Sequence, residues 1–195
     1  ISYTNKGDNL KINKLGRTDI KVSRICLGTM TFGEQNDFND AYQQLDIAID
    51  HGVNFFDTAE AYSFPGKPET QGDSEKIIGN WLHNRHNRDK IVIATKITGP
   101  SKERSHIRSG KLKYSSKQIS EAVDLSLKRL RTDFIDLYQL HWPERKSNYF
   151  GKLGYSHVEE DDLTPLEEQL DALNEQVKAG KIRAIGVSNE TAWGL

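Results

Sequence analysis

Residues 52–62 read Gly-Val-Asn-Phe-Phe-Asp-Thr-Ala-Glu-Ala-Tyr, and this segment is the most informative about the fold. It holds a short apolar run that ends in the carboxylate of Asp57, and it follows a segment of helical period, residues 37–51. A nearly continuous apolar run suits a parallel strand that is covered on both faces. The same order of buried strand, polar strand end and amphipathic segment recurs along the chain, so it indicates repeated strand–helix units.

Five apolar runs alternate with four amphipathic segments. The predicted strands cover residues 23–27, 54–57, 91–96, 134–141 and 182–188. The predicted helices cover residues 37–51, 74–84, 116–130 and 165–179, where apolar residues recur at intervals of three and four. Ser116 and Thr164 are predicted N-caps, and Gly52 and Gly180 are predicted to end helices. Ahead of these units, residues 10–22 alternate apolar and polar residues around a turn, which predicts a short hairpin.

A regular strand–helix alternation is compatible with a doubly wound sheet and with part of a (β/α)8 barrel. Barrel enzymes assemble their sites from the carboxyl ends of several strands. Polar residues follow each predicted strand here, namely Gly28-Thr29, Asp57, Lys96, His141 and Ser188-Asn189. Residues 28–33 also do not match the glycine fingerprint of a Rossmann sheet. The sequence therefore predicts an α/β fold, a (β/α)8 TIM barrel with an N-terminal β-hairpin.

The chain is short for that fold. A complete barrel typically needs about 250 residues, whereas this sequence has 195 and five predicted strands. We therefore expect residues 1–195 to be a single barrel domain that is C-terminally truncated, with only about the first five βα units present. Whether further residues follow or the end is disordered stays open at this stage.

The composition of the chain limits the classes of binding partner that we expect. The 27 Lys and Arg residues nearly balance the 28 Asp and Glu residues, which leaves a formal net charge of -1. Such a balance predicts no nucleic-acid or membrane partner. The single cysteine, Cys26, allows no intramolecular disulfide or cysteine metal cluster. With short apolar runs and a polar N-terminus, we expect a soluble, cytoplasmic protein.

Four residues near the strand ends suit the reduction of a carbonyl by a nicotinamide. Tyr62 lies five residues after Asp57, and Lys96 ends the next predicted strand. The Lys96 ammonium would stabilise a tyrosinate and so make Tyr62 a better proton donor, while Asp57 would hold the ammonium in place. His141, one strand further, could donate a hydrogen bond to the carbonyl oxygen as a neutral imidazole.

Four segments of the sequence, which include these residues or follow the last predicted strand, resemble the strand-end motifs of the aldo-keto reductase superfamily, in order and at similar spacing. The matching segments are residues 52–62, residues 93–96 (Ile-Ala-Thr-Lys), residues 136–141 (Asp-Leu-Tyr-Gln-Leu-His) and residues 186–189 (Gly-Val-Ser-Asn). Three more segments resemble the bacterial Tas-like NADP(H)-dependent aldo-keto reductases in particular. They are residues 28–35, 68–72 and 150–155.

The resemblance implies an NADPH-dependent oxidoreductase that reduces aldehydes or ketones to alcohols. Its implied catalytic tetrad is Asp57, Tyr62, Lys96 and His141, with Tyr62 as the general acid. The implied cofactor-binding residues are Gly28, Thr29, Met30, Asp57, Ser188 and Asn189, and Trp142 would wall the substrate pocket. The alternative is a nucleotide-binding regulatory subunit on the same barrel with little turnover. The oligomeric state is not predicted.

Each of these residues also has an ordinary structural interpretation. Asp57 could cap a turn, Lys96 could be a surface cation, Tyr62 a packed loop aromatic and His141 a hydrogen-bonded buried histidine. The four together, at matching ends of consecutive strands, favour the functional interpretation. No metal is assigned, because the cluster around His83 and His86 is interpreted as a solvated connection, and the basic stretch 102–117 is predicted to be an exposed loop.

Overall fold

The computed structural model describes residues 10–108, 110–148, 150, 153–156 and 162–195, and it contains two β-sheets. Strands β1 (Ile12–Lys14) and β2 (Lys21–Ser23) pair antiparallel. The larger sheet has the order β3-β4-β5-β6-β7, and every neighbouring pair in it is parallel. Its strands are β3 (Cys26–Gly28), β4 (Phe55–Asp57), β5 (Val92–Ile97), β6 (Ile135–Leu140) and β7 (Ile182–Val187).

One helix lies between each pair of consecutive parallel strands. The helices are α1 (Phe38–Asp50), α2 (Asp73–Arg85), α3 (Ser116–Leu130) and α4 (Leu166–Lys178). The predicted α/β architecture with a parallel sheet is thus confirmed. The spatial order of the strands equals their order in the chain, with none of the reversal that defines the switch point of a doubly wound sheet.

The helix ends agree with the sequence at the glycines but not at the predicted N-caps. Gly52 and Gly180 follow α1 and α4 with φ angles of 80° and 74°, a left-handed conformation that glycine adopts without a Cβ penalty. The prediction of Ser116 as an N-cap is wrong, because Ser116 is already helical and Ser115 precedes it. Thr164 does not cap α4 either; its hydroxyl instead lies 3.2 Å from the Glu144 carboxylate.

The core lies between the parallel sheet and the helices. Its largest members are fully buried aromatic and aliphatic side chains, among them Phe56, Trp81, Ile93 and Tyr138. Phe56 of β4 and Trp81 of α2 pack edge to face with ring centroids 5.7 Å apart, which seats α2 on the sheet. This layer holds the strands in a register that places their carboxyl ends along one edge.

Some sequence predictions fall outside the described residues. The N-terminal segment 1–9 is one, and residues 151 and 152 of the motif at 150–155 are another. Among the residues that are described, no helix combines the length and the apolar character needed to cross a membrane.

Candidate active site

The four candidate catalytic residues lie at the same edge of the parallel sheet. Asp57 is the last residue of β4, Tyr62 follows in the next loop, Lys96 is near the end of β5, and His141 comes directly after β6. The strand register aligns these positions, since Gly28 pairs with Asp57 and Lys96 with Gln139. Parallel pairing therefore brings together residues that are up to 84 positions apart in the chain, from Asp57 to His141.

The Lys96 ammonium is the centre of this group. Its Nζ donates to Asp57 Oδ2 at 2.5 Å and to the Thr58 carbonyl at 2.8 Å, and it lies 3.5 Å from the Tyr62 hydroxyl. The Lys96 side chain is 6% exposed and that of Asp57 is 29% exposed. An ammonium has three protons, and these three neighbours account for all of them, so its position is well defined.

Gln139 supports Asp57, and the sequence analysis did not single it out. Its Nε2 donates to Asp57 Oδ1 at 3.2 Å, on the carboxylate oxygen that Lys96 does not contact. Gln139 lies on β6 and pairs in register with Lys96 of β5. Both carboxylate oxygens of Asp57 are therefore hydrogen-bonded, each to a different strand, and the orientation of the carboxylate is fixed.

Tyr62 packs between the cation and the histidine. The Lys96 Nζ lies 4.9 Å from the centroid of the Tyr62 ring, and the Tyr62 and His141 rings meet edge to face at 5.5 Å. The 3.5 Å separation between Nζ and the hydroxyl is long for a hydrogen bond, and catalytic hydrogen bonds are often long before a substrate binds. The hydroxyl is placed beside the ammonium and the imidazole, where a reacting oxygen would meet both.

His141 is held in the neutral form. Burial lowers its pKa from 6.5 to about 3, and the positive charges of Lys96 and Arg104 act in the same direction. Its Nδ1 is buried and has no hydrogen-bond partner among the described residues. An unpaired buried acceptor is tolerated better than an unpaired buried N–H, so the proton belongs on Nε2, the nitrogen that can donate to a ligand.

The predicted cofactor-binding residues at the end of β3 and after it differ in their exposure to solvent. Gly28 and Met30 are exposed, and the space beside Gly28 is open. Thr29 is fully buried, and its hydroxyl is 2.8 Å from the Ser74 hydroxyl and donates to the Asp57 carbonyl at 3.0 Å. The Thr29 side chain therefore joins β3 to β4 and α2, and its backbone N–H and carbonyl are hydrogen-bonded as well, to Asp57 and to Ser74.

The turn after β7 is tied to the histidine. Asn189 Nδ2 donates to the His141 carbonyl at 2.9 Å and to the Ser188 hydroxyl at 3.1 Å, with Asn189 in a left-handed conformation (φ 53°). The neighbouring Glu190 forms an ion pair with Arg145, which lies in the loop after β6. Ser188 and Asn189 thus belong to the same structural unit as His141, as strands β6 and β7 are adjacent.

Trp142 lies beside the histidine, as a pocket wall requires. Its ring centroid is 4.7 Å from that of His141 and 5.4 Å from that of Phe150. Its indole N–H donates to the Pro100 carbonyl at 3.1 Å, and its own carbonyl accepts from the Tyr114 hydroxyl at 2.7 Å. These bonds anchor Trp142 to the loop that follows β5.

The loop after β5 is not simply exposed, which corrects the prediction for the basic stretch 102–117. The Arg108 side chain is 0% exposed and donates to Glu60 Oε1 at 2.9 Å, to the Thr98 carbonyl at 2.7 Å and to Gln118 Oε1 at 2.6 Å. Glu60 lies two residues before Tyr62, and its other oxygen accepts from the Thr98 amide at 2.8 Å. This buried pair fixes the Tyr62 loop to the loop after β5.

The described side chains do not form a metal-binding cluster. Within the described ranges, no group of three or more His, Cys, Asp or Glu side chains is placed to hold a metal ion. The polar groups of the site are instead an ammonium, a phenol, an imidazole and a carboxylate, a set that transfers and stabilises protons.

Comparison with known proteins gives one consistent result. The model of the aldo/keto reductase family matches residues 24–195. The protein tas of Escherichia coli (strain K12) is 48% identical over 186 residues, which cover 95% of this chain and 54% of that protein. The aldo-keto reductase YhdN of Bacillus subtilis (strain 168) is 36% identical over 92% of this chain and 47% of its own length. The chain thus spans about half the length of the curated relatives it matches.

The fold agrees with solved structures. The aldo-keto reductase AKR11C1 from Bacillus halodurans, in its holo form, superposes with a TM-score of 0.68 at 33% identity, covering 92% of this chain and 50% of that one. The family match covers nearly all of the described parallel sheet, and the sequence relatives and the solved structure point to the same family. The chain belongs to the aldo/keto reductase family.

Proposed function

We propose that the protein reduces aldehydes or ketones to alcohols with NADPH, and that Tyr62 is the general acid. The observation that carries this proposal is the placement of the Lys96 Nζ, which contacts the Asp57 carboxylate at 2.5 Å and lies 3.5 Å from the Tyr62 hydroxyl. Reduction of a carbonyl leaves negative charge on its oxygen, and a proton must reach that oxygen as the charge forms.

Tyr62 delivers this proton, and Lys96 makes the transfer favourable. Once the proton has left, the phenolate lies next to an ammonium, and this attraction is strong because the site is partly buried. Asp57 orients the Lys96 ammonium through its ion pair, and Gln139 orients Asp57 through its 3.2 Å bond. Tyr62 is therefore the single proton donor, and Lys96, Asp57 and Gln139 support it through successive contacts.

His141 donates a hydrogen bond to the same carbonyl oxygen that Tyr62 protonates. As a neutral imidazole it has one N–H. Because Nδ1 is buried without a hydrogen-bond partner among the described residues, we assign this proton to Nε2. A neutral donor polarises the carbonyl without competing with Tyr62 for the role of acid. The edge-to-face contact of the two rings at 5.5 Å supports a shared target for the two donors.

The residues around the site fit a nicotinamide cofactor. The exposed Gly28 leaves open space beside the backbone, and Ser188 and Asn189 offer hydroxyl and amide groups for a carboxamide. Met30 would contact the ring and Asp57 would border it, while the buried Thr29 would hold the backbone of its exposed neighbours Gly28 and Met30 in place. When bound, the cofactor supplies the hydride for the reaction. The preference for the phosphorylated cofactor is inferred from the resemblance to the Tas-like group.

The rest of the molecule is proposed on the same basis. We place these βα units in one (β/α)8 barrel domain, with the antiparallel pair β1–β2 at its amino-terminal end. The unreversed order of the parallel strands supports this placement. The cytoplasmic location and the small carbonyl substrate belong to this proposal too.

Tyr62→Phe tests the proposed acid in the full-length protein. We expect kcat for small aldehydes to fall by about 100-fold or more, since general acids contribute roughly that much, while NADPH still binds in a fluorescence titration. Tyr42→Phe is a matched control, because it removes a hydroxyl from α1 and should keep kcat. Normal turnover by Tyr62→Phe would contradict the proposal. Tight NADPH binding without turnover by the unmodified protein would support the regulatory-subunit alternative.

A further inference from the structure

Arg104, in the loop between β5 and α3, lies against the loop that carries Tyr62. It is half-buried, and its Nη1 is 3.4 Å from the carbonyl of Ala61, the residue before Tyr62. The guanidinium also covers Gly66, where a Cβ atom would come within 2.9 Å of Nη1. Arg104 is therefore held against the Tyr62 loop by backbone contacts and by the absence of a side chain at Gly66.

Arg104 forms no ion pair with a carboxylate in the part of the chain that the structure describes. The other arginines that are largely removed from solvent each pair with one, as Arg108 does with Glu60 and Arg129 with Glu75. Among the described residues, no carboxylate oxygen lies within the 4.0 Å of an ion pair with Arg104. Its contact with the Ala61 carbonyl, at 3.4 Å, is also long. Partial burial of an unpaired cation is costly, and that cost would be offset if an anion bound here.

The Arg104 charge acts on the proposed reaction centre. Burial lowers the pKa of Arg104, and the charges of the neighbouring Glu103 and, after it, of Tyr62 oppose that shift. Arg104 is also one of the cations that lower the pKa of His141. These couplings agree with the contact to Ala61 in placing the guanidinium near the atoms that would meet the carbonyl.

Arg104 lies at the Tyr62 end of the site. It comes from the β5 end and contacts the loop after β4, whereas Ser188 and Asn189, proposed for the cofactor, follow β7, two strands further. The loop that Arg104 contacts at Ala61 and Gly66 also carries the exposed side chain of Phe64. A cation in a loop contact beside an exposed aromatic residue suits a ligand with an apolar part and an anionic end.

We propose that Arg104 binds an anionic group of the substrate, so that the preferred substrates are carbonyl compounds that also carry a carboxylate. This inference rests on the proposed carbonyl reduction at Tyr62. A guanidinium offers a planar fork of donors that matches a carboxylate in a two-point contact. Arg104 would in this way select the substrate by its second functional group, while Tyr62 and His141 act on the carbonyl.

A pair of probes separates charge from shape. 4-Carboxybenzaldehyde and its methyl ester share the aromatic aldehyde and differ in the negative charge. With the full-length protein and NADPH, we expect kcat/KM for the acid to exceed that for the ester. The acid-to-ester ratio should also fall as ionic strength rises, since salt screens charges that remain partly exposed.

Arg104→Gln tests the residue itself. We expect the acid-to-ester ratio of kcat/KM to fall by about 10-fold or more, as a hydrogen bond to a charged group contributes on that scale, and Arg104→Lys should retain part of the ratio. Arg17→Gln removes the same charge from the exposed turn between β1 and β2 and should leave the ratio unchanged.

The outcomes are distinguishable. A ratio near one, a ratio that does not respond to salt, or an unchanged ratio in Arg104→Gln would overturn the role of Arg104 while leaving carbonyl reduction intact. Absence of reduction of both probes and of other small aldehydes would instead refute the proposed function. If Arg104→Gln does not fold, the salt dependence of the unmodified protein and the Arg104→Lys ratio decide the question.

Discussion

His141 shows how a single residue acquires its chemistry from its position. A histidine in water exchanges its proton near pH 6.5, but the buried ring of His141, close to two cations, has a pKa of about 3. Desolvation contributes most to this shift, and the charges of Lys96 and Arg104 add to it. The imidazole therefore stays neutral across the physiological range, and its donor role does not change with modest changes in pH.

The low pKa of His141 predicts a pH dependence of stability. Between about pH 3 and pH 6.5 the unfolded chain binds a proton at His141 that the folded chain does not, so acidification favours unfolding. The contribution is fully present above pH 6.5 and is lost as the pH falls towards 3. His141→Gln should reduce the slope of the unfolding free energy against pH by at most ~1.4 kcal/mol per pH unit in this range.

Urea titrations at several pH values measure this slope. His83→Gln serves as the control, because His83 is exposed on α2 and should leave the slope of the unmodified protein unchanged. Equal slopes for the unmodified protein and His141→Gln would show that His141 is not held neutral by burial.

At the scale of elements, helix α2 depends on close contact with α3. Gly79 lies in the middle of α2, and a Cβ atom there would be 2.3 Å from the Arg129 carbonyl oxygen and 2.6 Å from the Leu130 carbonyl carbon. The salt bridge from Arg129 to the buried Glu75 holds the same two helices together at 2.6 Å. Glu75 in turn accepts from the Thr95 hydroxyl of β5, so both helices are fixed to the sheet.

Gly79→Ala should therefore destabilise the protein. Alanine favours a helix over glycine by about 1 kcal/mol, but the new methyl group overlaps backbone that cannot move independently of α3. We expect a net loss of roughly 1–3 kcal/mol in the free energy of unfolding, measured by chemical denaturation. Asn84→Ala, at an exposed position on the same helix, should be neutral or slightly stabilising. A stabilised Gly79→Ala variant would mean that the helices are not in this contact.

At the scale of the whole molecule, the two ends of the parallel sheet have different roles. The carboxyl end holds the candidate active site, and the amino end holds a buried carboxylate, Asp136, near the start of β6. Asp136 accepts from the Ile93 amide of β5 at 3.0 Å, from Arg88 at 2.8 Å and from Arg183 of β7 at 2.5 Å. Three adjacent strands thus meet at one side chain that is 1% exposed. In barrel enzymes this end of the sheet serves stability.

Asp136→Asn should lower stability without affecting the chemical step. Removing one partner of a buried ion pair typically costs about 3–5 kcal/mol, and here two arginines lose their counter-charge. We expect a large shift of the denaturation midpoint with little change in kcat below the transition. Asp124→Asn breaks the exposed pair with Lys181 and should cost only about 0–1 kcal/mol. Similar small losses in both variants would show that the Asp136 cluster is not a stabilising centre.

The order of strands and helices and the candidate residues at the strand ends could be predicted from the amino-acid sequence alone. Apolar periodicity is local information, so the helices were found to within a residue or two at most ends. Parallel pairing then requires that successive carboxyl ends share one edge. This is why Asp57, Lys96 and His141 could be selected together before any coordinate was known.

The side chains that support these residues became apparent only in the folded chain. Gln139 reaches Asp57 across 82 positions of sequence, and Glu60 reaches Arg108 across 48. No sequence periodicity identifies such partners, because a polar residue in a loop is expected to be exposed when only its neighbours in sequence are considered. For this reason Arg108 was predicted to be exposed. The same holds for Thr29, which turns its hydroxyl inward, and for Arg104, which forms no ion pair with any described carboxylate. Burial and pairing depend on what the neighbouring loops bring into contact, and that information exists only in the folded chain.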